Sequence, residues 1–225
     1  MLDDPKAIEI ISRARQKNVA LAKRSEQDFE CLFEDFFGEH DYKDELIMDL
    51  GPGQYDFARR VRARGGTVEH IDKDPAVVEL GRYLGFEVAE ANLRSFDYSQ
   101  RTARYDGLFC KFSINAFWFQ SVDEVRSKIR AIDSMLKPTG WGWIAPWNGL
   151  PKNGWEDQDP RPFLDAQAEA FSECGWSGYE LPDLLTRRYG ITGSVQNHPL
   201  FVRNLVTGAT LVSATPIAGS RAAHL

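Results

Sequence analysis

The sequence predicts an α/β protein built on a doubly wound, mostly parallel sheet with an antiparallel last strand. Three observations predict it. From Glu45 onward, short apolar runs alternate with helical patterns, which is the texture of βαβ units. The first such unit passes from an apolar strand through Asp49-Leu50-Gly51-Pro52-Gly53 into a helix, and the next strand closes on an acid, Asp72. The composition is that of an ordinary globular domain, 225 residues with 43% hydrophobic and 27% charged. At that size about 70% of the unfolded surface is buried without help from a metal or a disulfide.

Residues 1–40 are expected to form an N-terminal helical segment. Between about Pro5 and Phe37, the residues Phe29, Leu32, Phe33, Phe36 and Phe37 recur at i, i+3, i+4, i+7 and i+8 with charges between them, and Gly38 is a stop. The upstream part, with Ile8, Ile10, Ile11, Val19 and Leu21, is less regular and suits a separate helix. The phenylalanine stripe is too apolar to face water. It closes over the ligand edge of the sheet as a lid, pairs with a second copy in a homodimer, or caps the core.

Residues 41–212 form the α/β domain. Leu46 to Leu50 reads as a buried first strand, Phe57 to Arg64 as a helix closed by Gly65-Gly66, and Thr67 to Asp72 as the second strand. Asp74 is the N-cap and Pro75 the first residue of a helix running to about Leu84. Phe86 to Ala91 is the third strand, and Gly107 to Phe112, after the Tyr105-Asp106-Gly107 turn, the fourth. Val122 to Leu136 is a helix stopped by Lys137-Pro138-Thr139-Gly140, and Trp141 to Pro146 the fifth strand. A helix from about Phe163 to Cys174 and strand segments at Gly178 to Leu181 and Leu200 to Val206 complete the domain. Residues 213–225, rich in Ala, Gly and Ser, read as a disordered tail.

Twenty-seven Lys and Arg against 33 Asp and Glu give a net charge of −6 and a pI near 5.3, which argues against nucleic acid as a partner. Cys31, Cys110 and Cys174 are too scattered for a disulfide framework, and no CxxC pair or His/Cys cluster suggests a metal, so reduced cytoplasm is the expected compartment. Met1 to Lys6 lacks the basic and then apolar run of a secretory signal. No apolar run of about 18 residues predicts a membrane span, so no membrane partner is expected.

The chemistry is carried by the first βαβ unit. Glycines let the backbone pass close to a ligand, and a carboxylate at Asp72, 21 residues after Gly51, can accept both hydroxyls of a ribose. Gly-x-Gly alone is also an ordinary turn. A dinucleotide fingerprint wants a third glycine at position 56, where Asp56 would repel a pyrophosphate at the helix N-terminus. That weighs against a nicotinamide-dependent oxidoreductase. S-adenosylmethionine (SAM) has no phosphate and carries an ammonium, which suits acids such as Asp49 near the loop.

From about Glu45 to Val206 the chain resembles the class I SAM-dependent methyltransferases. Ile47-Met48-Asp49-Leu50-Gly51-Pro52-Gly53 is similar to the family's first motif, and His70-Ile71-Asp72-Lys73-Asp74-Pro75 to its ribose-binding strand end. Glu90-Ala91-Asn92-Leu93 is similar to the adenine-side end of the third strand, Tyr105 to Cys110 to the fourth strand, and Met135-Leu136-Lys137-Pro138-Thr139-Gly140-Trp141 to the turn into the fifth. The family's third glycine falls at Tyr55, which implies an altered approach around the methionine moiety. The resemblance implies a Rossmann-like methyltransferase fold, SAM as cofactor, and Asp49, Gly51, Gly53, Asp72, Asn92, Leu93 and Lys111 as its contacts.

The expected reaction is transfer of a methyl group to an oxygen or nitrogen of a small molecule. In an open α/β sheet, ligands sit beyond the carboxyl ends of the strands, which places Lys111, Ser113, Asn115, Trp118, Trp147 and Asn148 along the acceptor pocket. His198 is the candidate general base and Lys111 a second catalytic candidate. A lone histidine beside Pro199 is also an ordinary turn residue. Tyr189 and the Arg187-Arg188 pair share its segment, and the arginines also read as solvated surface. Trp118, Trp141, Trp143, Trp147 and Trp155 suit stacking on a flat acceptor, whereas Trp141 and Trp143, on one strand face, also read as core. The alternative from a different class is a SAM- or nucleotide-binding module without transferase activity.

Overall fold

Apolar runs buried on both faces are the mark of a parallel sheet, and five parallel strands, the inner ones of that kind, form one side of the sheet in a computed structural model that describes residues 4–17, 26–114, 118–146, 159, 161–191, 199–205, 211 and 214–217. These strands are β1 (Leu46–Leu50), β2 (Thr67–Asp72), β3 (Glu87–Glu90), β4 (Tyr105–Lys111) and β5 (Leu136–Ala145). They are joined by α3 (Asp56–Ala63), α4 (Pro75–Tyr83) and α5 (Val122–Asp133). Beyond them come α6 (Arg161–Glu173), β6 (Ser177–Glu180), α7 (Asp183–Arg188), β7 (Pro199–Arg203) and β8 (Thr215–Pro216). The described strands form one sheet in the order β3-β2-β1-β4-β5-β7-β6-β8.

The expected antiparallel end of the sheet is present. β7 lies antiparallel between β5 and β6. The edge strand β8 is antiparallel to β6. Residues 215–216, expected in a disordered tail, are therefore paired, and Ile217 N donates to Gly178 O at 3.0 Å. β5 begins earlier than the sequence suggests. The Lys137 to Gly140 segment, expected as a turn, lies within the strand as an irregularity, where the register moves from Tyr105↔Leu136 to Gly107↔Trp141.

Period-two alternation splits the strand side chains between two cores. Ile47, Phe109, Trp141 and Trp143 face one core. Met48, Leu50, Leu108, Cys110 and Ile144 face the other, with residues of α5 and α6. Trp141 and Trp143 are thus core residues and do not line a pocket, which removes them from the expected stacking surface.

The N-terminal segment is two helices, α1 (Pro5–Lys17) and α2 (Glu26–Phe37); Val19 and Leu21 lie outside the described residues. α1 rests on α4, with Ala7, Ile10 and Ala14 buried, Arg13 on Glu79 at 2.9 Å and Tyr83 donating to Asp4 at 2.7 Å. The phenylalanine stripe of α2 is covered by this chain's own sheet. Phe37 meets Phe57, Phe109, Trp141 and Trp143 with ring centroids 5.3 to 6.2 Å apart. Each fully buried phenylalanine contributes about 1.5–3 kcal/mol, so α2 is part of the core and its stripe is not a surface left for a second copy. Among the described residues no helix is long and apolar enough to cross a membrane.

Candidate cofactor site

The site grows from the carboxyl ends of β1, β2 and β4. β1 ends on Asp49 and Leu50, and Asp49 is only 1% exposed. The chain then turns through Gly51 and Gly53, both in the left-handed region at φ 74° and 60°. Glycine takes those angles without steric cost. At Gly51 a side chain is excluded twice over, because a Cβ there would run into the Ser113 side chain beyond β4. Ser113 Oγ instead donates to Gly51 O, and to Lys111 O, at 3.2 Å. Gly51 N donates to Ile71 O at 2.9 Å, which ties the loop to β2.

Asp72 stands half-buried at the end of β2. Its Oδ1 accepts from Asp74 N at 2.8 Å, while Asp74, the expected N-cap, accepts from Ala76 N at 2.9 Å. Capping α4 is therefore the work of Asp74, and Asp72 is held as an ordered acceptor beside the glycine loop. Asp49 and Asp72 both act on one neighbour: burial raises the Tyr55 phenol above its ordinary pKa, and the charges of Asp72 and then Asp49 raise it further.

Tyr55 resolves the departure at the third glycine. Its backbone has the angles a glycine would take, φ 62° and ψ 26°, at a cost of roughly 1–2 kcal/mol for a residue with a Cβ. The ring is buried away from the loop, between β2, β3 and α4, stacked on Phe86 at 5.3 Å with planes 7° apart. The hydroxyl donates to Val77 O at 2.9 Å. The backbone at this position thus keeps glycine-like angles while the side chain leaves on the side away from the loop. Asp56, weighed above against a pyrophosphate, is held by Arg59 at 2.6 Å.

At the end of β3 the expected adenine-side residues have local roles. Asn92 is exposed and its Oδ1 accepts from Arg94 N at 3.0 Å, an Asx turn. Leu93 is buried in the second core, with its carbonyl accepting from Tyr98 at 2.8 Å. On β4, Lys111 is 6% exposed and its ammonium donates to Tyr189 O at 2.7 Å, just after α7. The rings of Phe29 and Phe112 lie 5.7 and 5.6 Å from that nitrogen. Phe112 itself has φ 65°, so a second bulky residue at the cleft is held in the left-handed region.

The structure therefore brings together Asp49, Gly51, Gly53, Asp72 and Ser113, with Lys111 at the neighbouring strand end. Asn115, Trp147, Asn148, Trp155 and His198 lie outside the described residues. Trp118 is half-buried against the second core. Arg188, read as solvated surface, is exposed and also grips Asp35 of α2 at 2.7 and 3.0 Å, and buried Tyr189 donates to the same carboxylate at 2.9 Å. Asp35 was not singled out in the sequence; its only signal is an acid between Phe33 and Phe36 on a helix whose apolar face is buried.

No family model matches the chain, and no curated protein matches it in sequence. Solved structures match its fold. A TehB-like SAM-dependent methyltransferase from Corynebacterium glutamicum is 18% identical over 85% of this chain and 94% of that one, with a TM-score of 0.52. The 1,6-didemethyltoxoflavin-N1-methyltransferase of Burkholderia thailandensis, with bound 1,6-didemethyltoxoflavin and S-adenosylhomocysteine, is 15% identical over 90% of each chain, also at 0.52. The protein has the class I SAM-dependent methyltransferase fold.

Proposed function

We propose that the protein is a SAM-dependent methyltransferase that methylates an oxygen or nitrogen of a small molecule. The observation that carries this reading is Asp72, an ordered carboxylate at the end of β2, set beside a glycine loop with left-handed backbone after β1. The groups suit the cofactor: Asp72 to accept from ribose hydroxyls, buried Asp49 to accept from an ammonium, and a loop without phosphate-binding basic residues. Bound SAM supplies an electrophilic methyl group on a sulfonium. The residues of this chain then act chiefly by position, since holding nucleophile and methyl in line removes much of the barrier.

Lys111, at the end of β4, offers its ammonium, an ion with three N–H groups, to the cofactor's carboxylate. His198 takes the acceptor's proton where the acceptor must lose one. The acceptor is placed against Ser113 and Phe112 beyond β4, where the strand order reverses and ligands of such sheets collect. The Burkholderia protein, similar in fold, carries a small heterocycle and the demethylated cofactor, and a small acceptor for this chain accords with it. A binding module without transfer is favoured by one observation, the engagement of the Lys111 ammonium by Tyr189 O.

Calorimetry with S-adenosylhomocysteine (SAH), SAM and NAD tests the cofactor. We expect SAH and SAM to bind and NAD not to; micromolar NAD binding with none of SAH overturns the reading. Incubation with methyl-labelled SAM and a panel of small hydroxyl and amine acceptors then separates enzyme from binding module.

A further inference from the structure

The glycine loop is held from an unexpected side. Tyr55 ends that loop, yet its ring belongs to the layer between the sheet and α4, against His70 at 4.9 Å and Phe86 at 5.3 Å between centroids. Its hydroxyl reaches Val77 O on the first turns of α4, the helix whose N-cap, Asp74, also orders Asp72. The space for the ring is made by Gly81. A Cβ on Gly81 would overlap the Tyr55 hydroxyl oxygen and the end of its ring, and would come within 2.5 Å of Val88 Cγ2. A glycine inside a helix is costly relative to alanine, and here it makes room for that ring and for Val88.

We infer that Tyr55 is a positioning residue that wedges under Gly81, locking the Gly51–Tyr55 loop to α4 so that the loop and the Asp72 carboxylate are held in fixed relation for cofactor binding. The inference rests on the reading of the site as a SAM site. In a loop ending on glycine the left-handed turn is permitted but not anchored. Here the same turn is anchored at its far end by stacking and a hydrogen bond, and the hydrogen-bond acceptor, Val77 O, is 22 residues along the chain from the loop's end. His70 under the ring donates from Nδ1 to Glu87 O at 3.0 Å, which fixes β2 to β3 beneath the wedge.

The test is a four-protein cycle on the full chain: wild type, Tyr55→Gly, Gly81→Ala and the double variant. SAH dissociation constants are measured at low temperature, where circular dichroism shows each variant folded. We expect each single substitution to weaken SAH by about tenfold, which is 1.4 kcal/mol. The double variant should lose less affinity than the two single effects added together, because the alanine methyl no longer meets the ring and only its approach to Val88 Cγ2 remains. Tyr55→Phe keeps the wedge and should bind SAH within about threefold of wild type, since it loses one hydrogen bond only. A structural role alone would lower the melting temperatures and leave these constants and their coupling unchanged.

Folded Tyr55→Gly or Gly81→Ala proteins that bind SAH within twofold of wild type, or effects that add in the double variant, overturn the wedge. If the wild type itself binds no SAH, the SAM reading fails instead. The wedge is then judged by hydrogen exchange of the loop amides, which must quicken in both single variants for it to stand. If Tyr55→Gly does not fold, Gly81→Ala and Tyr55→Phe carry the same comparison.

Discussion

Replacing Asp72 gives the most direct measure of the cofactor site. Within the protein its Oδ1 accepts from Asp74 N at 2.8 Å. Asp72→Ala therefore removes a turn hydrogen bond, worth about 0.5–1.5 kcal/mol of stability, and whatever the carboxylate gives the ligand. For a chain of this length the first loss lowers the melting temperature by about 1–6 °C. The second is a charge-assisted bond at a half-buried site, about 1–3 kcal/mol, or roughly five- to 150-fold in the SAH dissociation constant. Asp72→Asn separates the two, because its amide oxygen still accepts from Asp74 N. We expect it to melt near the wild-type temperature while losing most of the SAH affinity. Calorimetry and thermal denaturation on the same samples read both quantities. A folded Asp72→Ala protein whose SAH constant lies within twofold of wild type would refute the assignment of Asp72 to the cofactor.

Lys111→Met keeps the buried stem and removes the ammonium; SAH affinity should fall about tenfold, and an unchanged constant by calorimetry would take Lys111 off the cofactor side. Glu69, buried on β2, accepts from Tyr105 at 2.7 Å and from Arg101 and Arg104. Burial raises its pKa, and the bonds from Tyr105 and Arg104 and the arginine charges outweigh that, leaving it below the ordinary value. A carboxyl depressed in the folded state contributes stability above its unfolded pKa, about 4.3, and loses it as pH falls through the lower folded value. Glu69→Gln should thus lower stability at pH 7 by about 2–3 kcal/mol, the half-exposed Arg104 keeping the loss below that of a wholly buried pair, and should flatten the acid limb of melting temperature against pH; an unchanged acid limb would remove Glu69 from it. Phe37→Ala should cost about 3–5 kcal/mol in denaturant titration, and a loss below 1 kcal/mol would return α2 to the status of a detachable lid.

The parallel half of the sheet was legible because strands buried on both faces leave continuous apolar runs that few other arrangements explain. The early start of β5 was not. Lys137-Pro138-Thr139-Gly140 carries strong local turn chemistry, and only pairing with Tyr105, with Lys137 held on Asp106 at 2.7 Å, draws it into the strand. β8 is two residues long, too short for any periodicity to show. The stripe on α2 announced burial but not its cover, since the sheet face it meets is assembled from β1, β4 and β5. At the site, Asp49, Gly51, Gly53 and Asp72 were visible because their spacing is local to one βαβ unit. The Asp35–Tyr189 contact joins residues 154 apart, a distance over which sequence pattern carries nothing.

Tyr55 shows most clearly what a motif records. The third glycine reads as the absence of a side chain, so a tyrosine implies an altered approach around the methionine moiety. What the loop requires is a left-handed backbone angle, met at Gly51, at Gly53 and again at Tyr55. A side chain is tolerable there if it leaves on the far side of the loop and finds a place to go. That place exists because α4 carries a glycine where helices favour almost anything else. In this chain the tyrosine of the loop and the glycine of α4 fit each other, the ring end taking the space that a Cβ at position 81 would need.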